Sequence, residues 1–518
     1  MTSSIMARQL WFIRLACLLL LAHCTQDGGD HFEEAFELLP LPVSVGSKLL
    51  LVETSAPAGL LIDASAPDNA PTRVSLRPNP IWVEPRNAHA DQALVLTLGE
   101  RGNENRKQAP GGLSIISANG ELQTLDLGNS GFDRLHQSQN GHHALLTRSG
   151  SGDQLLQNIN EVALIDLQRP DAPPSIQVLP ETPRYVVFSE DFSLDGVPQE
   201  LAAVLTSNMV AIFDLTQPDL EPLLVQLNTQ TDVSLLPVQA LFDPPSERIF
   251  LRAEASNDVF ALHLVPAAPS TPEAPRTGHN FSVSIDIIAA GNGPSDMATF
   301  ILDDKQFLLV VASKNKTAVL VDLATSRTVT VALPLAFDQL MTYARLDGTP
   351  EALLWKYNSQ HIATMSLSTT DAATLASDVS LLAPVSLGID QQVQLEDGRI
   401  AFIGRKPGIT LVNAIEQTVT PYSAQTHIER GLLDEQRQRA WIVPSNAARV
   451  GYLDLATGAT DEVVLDAAIV FATLIPDADR IALIHNDPLG HITFVDLDTP
   501  TRNTSQAVRG FLLEEAFQ

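Results

Sequence analysis

Five aspartates, Asp166, Asp214, Asp322, Asp454 and Asp496, stand near the ends of similar apolar hexapeptides. Carboxylates at equivalent positions of a repeat could circle an axis, hold a divalent cation and activate a water. The competing use is local. An aspartate at a strand end accepts hydrogen bonds from the backbone N–H groups that follow it and shapes the turn. His263, Ser366 and Asn413 hold the same position in three further copies and fit that local role, so turn shaping is the expectation. His142 and His143 are adjacent, which does not put both on one face of a strand. The remaining histidines are scattered, without HExxH or cysteine-rich metal spacing. No CxxCH, GxSxG elbow, P-loop or dinucleotide fingerprint is present. Trp82, Trp355 and Trp441 are read as core or surface residues rather than a ligand cage. No catalytic, cofactor-binding or metal-ligating residue is assigned from these patterns, and no cofactor is expected.

Cys24 is the one residue with an assigned chemistry, lipid attachment. The chain has two cysteines, Cys17 and Cys24, so nothing after Cys24 can form a disulfide with it. Residues 1–23 carry Arg8 and Arg14, no acid, and a short apolar run from Leu15 to Ala22. That run is shorter than the roughly 20 residues a bilayer-spanning helix needs. Its layout, with a basic start, an apolar centre and small residues near a cut, is that of a secretory signal. The segment Leu21-Ala22-His23-Cys24 resembles the bacterial lipobox, in which a signal peptidase cuts before a cysteine carrying diacylglycerol. Such families usually place Gly, Ala or Ser where His23 stands. Two or more acyl chains give stable anchoring. Thr25 is not the aspartate that commonly retains lipoproteins at the inner membrane, so the resemblance implies an outer-membrane location.

The chain holds 61 acidic and 32 basic residues, a net charge of −29. Nucleic acid needs a basic surface, so a nucleic-acid partner is excluded, and anionic headgroups would repel the surface as well. Such a charge keeps a tethered domain soluble and attracts cations or basic partners. With 45% apolar residues the chain can bury a large core. Thirty-four prolines argue for many short strands separated by turns.

The elements that must position these residues repeat along the chain. VALIDL from Val162, VAIFDL from Val210, VFALHL from Val259, AVLVDL from Ala318, IATMSL from Ile362, ITLVNA from Ile409, VGYLDL from Val450 and ITFVDL from Ile492 recur at intervals of 41 to 59 residues. The long interval holds a proline-rich insertion, residues 266–278, read as a solvated loop. Each hexapeptide is preceded by another apolar run, as in RIFLRAEA from Arg248 and RIALIHN from Arg480, and before that by a strand closing in an acidic turn. A fourth strand follows, such as VTVAL from Val329. Two weaker units lie near residues 47–65 and 92–118, making ten. Four short strands per 40–50 residues predict a β-propeller blade.

The pattern resembles the YVTN-type and WD40-like propellers of bacterial surface proteins, most closely in YLDLATGATDEVVL from Tyr452 to Leu465. The quinoprotein propeller repeat is also similar to DLATG, but Asp461 and Glu462 stand where that family needs a tryptophan. The expected organisation is a signal segment at 1–23, a tether with the first strand at 24–45, and a propeller at 46–518. The fold class is all-β: four-stranded antiparallel blades, in one ring of eight to ten, with two smaller rings as the alternative. The tail Phe511–Gln518 resembles a blade-opening strand, and its pairing with the opposite terminal blade is expected to close the ring. The implied function is an envelope-anchored binding or scaffold module for other envelope proteins. The alternative is a propeller hydrolase or lactonase with a divalent cation at the channel.

Overall fold

The computed structural model describes residues 42–511, apart from 55–56, 101–108, 129–130, 150–157, 229–233, 267–277, 346, 357–360, 383–386, 396–398, 407, 414–415, 417, 424–427, 445 and 488. The signal segment, Cys24, most of the 266–278 insertion and all of the tail after Phe511 lie outside the described residues.

Ten four-stranded antiparallel sheets follow one another along the chain, each drawn from one contiguous stretch. Blades 1 to 10 begin at Val43, Pro80, Arg134, Tyr185, Pro237, Pro294, Gln339, Leu387, Ile428 and Ile469. Within every blade the strands pair in chain order, except that blade 4 carries a small extra hairpin, Ser193–Leu194 with Val197–Pro198, between its first and second strands. First strands lie against one another at the junctions of blades 10 and 1, 1 and 2, 4 and 5, 5 and 6, 6 and 7, and 9 and 10, as the inner strands of the ring. The fourth strands form the outer rim, and their alternating exposure, as in Thr328–Ala332, marks one solvated side.

Second and third strands are buried on both faces, as in Leu201–Leu205 and Met209–Asp214. This explains why they read as continuous apolar runs rather than alternating ones: a blade's two faces are both covered by neighbouring sheets, as in any sandwich of stacked sheets. The buried side chains divide into ten clusters, and each cluster joins two adjacent blades. The last of these seams closes the ring. Leu49, Leu51, Leu60 and Ile62 of blade 1 pack on Ile475, Ala482, Ile492 and Phe494 of blade 10. Phe511, the first residue of the expected closing strand, is buried in that same seam. Among the described residues, closure is by apolar face-to-face packing.

Arginines tie blades together at their rims. Arg248 and Arg439 open second strands and donate to the Leu323 and Leu497 carbonyls of the following blades. Arg437 of blade 9 donates to Asp498 (2.6 Å) and to Asp479, both in blade 10, while also facing Asp434 of its own turn. These charges raise the Arg437 pKa against its partial burial.

Candidate functional site at the inner wall of blades 2 to 4

The turns between first and second strands, and between third and fourth, share one face of the ring. The repeat aspartates sit there, and their carboxylates are used locally. Asp166 Oδ1 accepts from the Gln168 backbone N–H at 2.9 Å, Asp214 Oδ1 from Thr216 at 3.0 Å and Asp322 Oδ1 from Ala324 at 2.9 Å. Asp454 Oδ1 accepts from Thr457 at 2.7 Å, and Asp496 Oδ1 from Asp498 at 3.0 Å. Asp63 of blade 1 adds a sixth copy, accepting from Ser65 at 2.9 Å. Asn413 makes the equivalent bond to Glu416, whereas Ser366 reaches the Ser368 hydroxyl. The Thr457 backbone N–H holds the Asp454 carboxyl below the usual carboxylate range. Asp322 is also lowered, because bonds from Thr325 and Ala324 outweigh the effect of burial. The expectation of a turn-shaping role is met for the aspartates and for Asn413.

Polar and aromatic side chains converge where blades 2, 3 and 4 meet on this face. Trp82 and Glu84 lie on the first strand of blade 2, Pro80–Pro85, which bulges between Pro80 and Trp82. A bulge re-aims the residues after it, and the Glu84 carboxylate lies within reach of blade 3. The Trp82 indole donates to Glu84 Oε2 at 3.0 Å, and Gln137 of blade 3 donates its amide to Glu84 Oε1 at 2.7 Å. Burial raises the Glu84 pKa in spite of these two bonds. Trp82 is 36% exposed, in contrast to Trp355 and Trp441, which are buried in the blades.

Arg86 continues the site. It is buried, donating to the Gly141 carbonyl at 2.8 Å and to Gln92 Oε1 at 2.7 Å. Burial lowers its pKa against the attraction of Asp166 and Asp91. Gly141 has φ of +66°, and a Cβ there would collide with the Asn87 carbonyl oxygen. Only glycine lets the two turns approach this closely.

His142 and His143 both face Glu200 of blade 4. His142 Nδ1 is 3.4 Å from Oε1 and His143 Nδ1 is 2.9 Å from Oε2. Their adjacency in sequence does not separate them, because His142 lies in the turn and only His143 starts the strand. Burial lowers the His143 pKa, while Glu200 and Asp166 oppose that shift. His89 of blade 2 is lowered by burial and by the nearby Arg86.

A serine, a histidine and a glutamate thus stand together, but their connections are not those of a hydrolytic triad. The Ser138 hydroxyl donates to Asn140 Oδ1 at 2.7 Å and accepts from the His143 backbone N–H at 2.9 Å. A triad needs the hydroxyl bonded to an imidazole nitrogen. Among the described residues no three His, Cys, Asp or Glu side chains stand in an arrangement that could hold a metal ion. What the site offers is a partly exposed indole, a carboxylate of raised pKa and fixed amides. Glu84, Arg86, Gln137 and Glu200 were not singled out from sequence. They are spread over more than 100 residues, and nothing local distinguishes them from other polar residues.

No protein-family model matches this chain, and no curated protein matches it. Solved structures to which this chain is similar include dihydro-heme d1 dehydrogenase NirN in complex with DHE, at 11% identity over 82% of this chain and 73% of that one, with a TM-score of 0.39. A eukaryotic initiation factor aligns at 10% identity over 90% and 96% of the two chains, with a TM-score of 0.44. A putative 6-phosphogluconolactonase from Bacteroides uniformis aligns at 12% identity over 70% and 90%, with a TM-score of 0.34.

Proposed function

We propose that this chain is a lipid-tethered β-propeller that binds other proteins of the cell envelope. The lipobox-like Leu21-Ala22-His23-Cys24 supplies the anchor, with Cys24 as its attachment residue. No helix among the described residues is long and apolar enough to cross a membrane. The observation that carries the binding reading is the inner wall of blades 2 to 4. An exposed tryptophan bonded to a carboxylate is presented on a chain with a net charge of −29. Aromatic faces attract cations, and the acidic field concentrates them, so the partner surface is a basic one.

Crosslinked pull-down from native envelopes tests this reading. A basic envelope protein recovered with the unsubstituted chain, and lost with Trp82→Ala or at high salt, supports it. Recovery of no partner, or of one indifferent to both changes, refutes it. Acyl labelling tests the tether separately: Cys24→Ser is expected to release the chain from membranes and abolish the label.

A further inference from the structure

Among the described residues, the outer rim of blade 5 differs from the other nine. Its fourth strand, Phe281–Ala289, is nine residues long and pairs along its whole length with Asp258–Pro266. Fourth strands of the other blades run three to seven residues. Proteins usually blunt an exposed edge by shortness, by charge or by proline. Blade 8 has Pro421 in its outer strand and blade 9 has Asp461 and Glu462. Phe281–Ala289 has no proline and one charge, Asp286, while Ile285 is 39% and Ile287 67% exposed. The run VSIDII from Val283 is β-branched but for Ser284 and Asp286, which favours strand pairing.

We infer that this edge pairs with the same edge of a second copy, making a two-fold dimer through a continuous eight-stranded sheet. The strand is complementary to itself. An antiparallel register centred on Ile285 uses all nine residues. It sets Ile285 opposite Ile285, Val283 opposite Ile287, and Asp286 opposite Ser284, so no carboxylate faces another and the hydroxyl can donate to it. A register centred on Asp286 would oppose two like charges, which destabilises a pair. A two-fold interface uses one patch twice, and this patch satisfies that condition. The net charge of −29 per chain opposes association at long range. Salt screens that repulsion within about 10 Å at 0.1 M, so the dimer is stronger at higher salt, the reverse of a contact built on opposite charges.

Sedimentation of the purified full-length chain over a wide concentration range reads the mass directly. A doubled mass that Ile287→Lys or Ile285→Lys returns to monomer supports the inference. Both side chains are exposed, and an unchanged melting temperature shows that the ring stays folded. Val464→Lys, at an exposed apolar site on blade 9, is the control and leaves the dimer intact. A monomer under all conditions, or a dimer indifferent to both isoleucine substitutions, overturns it. Single cysteines test the register against the background of the unsubstituted chain. Opposed Cβ atoms in such pairs are about 4.5–5.5 Å apart, near disulfide reach. Ile285→Cys crosslinks to itself under oxidation and Ile287→Cys does not. Equal crosslinking at both positions, or at 287 alone, contradicts the register.

Discussion

The seam between blades 1 and 10 joins residues more than 400 positions apart in the chain, and Phe494 is fully buried within it. Phe494→Ala removes an aromatic ring from a site lined by Leu49, Leu51, Leu60 and Ile62 on one side and by Ile475 and Ile492 on the other. Neither sheet can collapse onto the hole without moving its own ladder, so both the transfer and the cavity costs are felt. Together they come to about 3–5 kcal/mol. Phe402, fully buried in the seam between blades 7 and 8, supplies the comparison, because that seam joins sequence neighbours. A closed ring makes the two seams equivalent, and Phe402→Ala is expected to cost the same within about 1 kcal/mol. Urea unfolding followed by tryptophan fluorescence reads both. At a slope of about 4 kcal/mol per molar, each variant moves the midpoint down by roughly 1 M. A shift for Phe402→Ala with none for Phe494→Ala would mean that the first and last blades are not packed together in solution.

Gly141→Ala places a Cβ against the Asn87 carbonyl oxygen at a φ of +66°; a loss of about 1–3 kcal/mol is expected, read by thermal melting. Weaker loss than from alanine at an ordinary exposed turn would argue against the tight approach of blades 2 and 3. Asp454, held below the usual carboxylate range by the Thr457 N–H, stabilises the fold above its unfolded pKa, and that contribution is lost as pH falls through the lower folded one. The acid limb of the stability profile is therefore expected to flatten in Asp454→Asn, measured by melting between pH 5 and 2. His485 and His491 are buried with ring centroids 4.2 Å apart, close to Asp466, Asp487 and Arg509, and burial lowers both pKa values. A lowered folded pKa means that the unfolded chain binds the proton first, so stability drops as pH falls below about 6.5. Substituting His491 by Gln should remove part of that drop in melts at pH 8 and pH 5.

Much of the architecture was legible because a blade is a local object. Each of its four strands is a short apolar run, and turn residues such as Asp-Gly and Asp-Pro punctuate them, so all ten units could be counted. The turn role of Asp166 and its equivalents was legible for the same reason, since acceptor and donors lie within three residues. Closure was harder. The tail pattern FLLEEAFQ pointed to strand pairing, while the packing of Leu49 on Phe494 has no local sign, because any blade face looks equally apolar. The polar site was illegible for a related reason. Glu84 meets Gln137, and His143 meets Glu200, across blade boundaries set by ring geometry. The bulge that aims Trp82 leaves no residue signature of its own. The length of the blade 5 edge strand was not legible because the proline-rich insertion before it interrupts the spacing of the repeat.

Electron cryomicroscopy of the purified chain, viewed along the ring axis, is the decisive measurement of a single closed ring of ten blades. Ten blades of similar spacing around one axis are expected, with the seam between the first and last no wider than the other nine. Fewer blades in the ring, two separate rings, or a gap between blade 1 and blade 10 would contradict it.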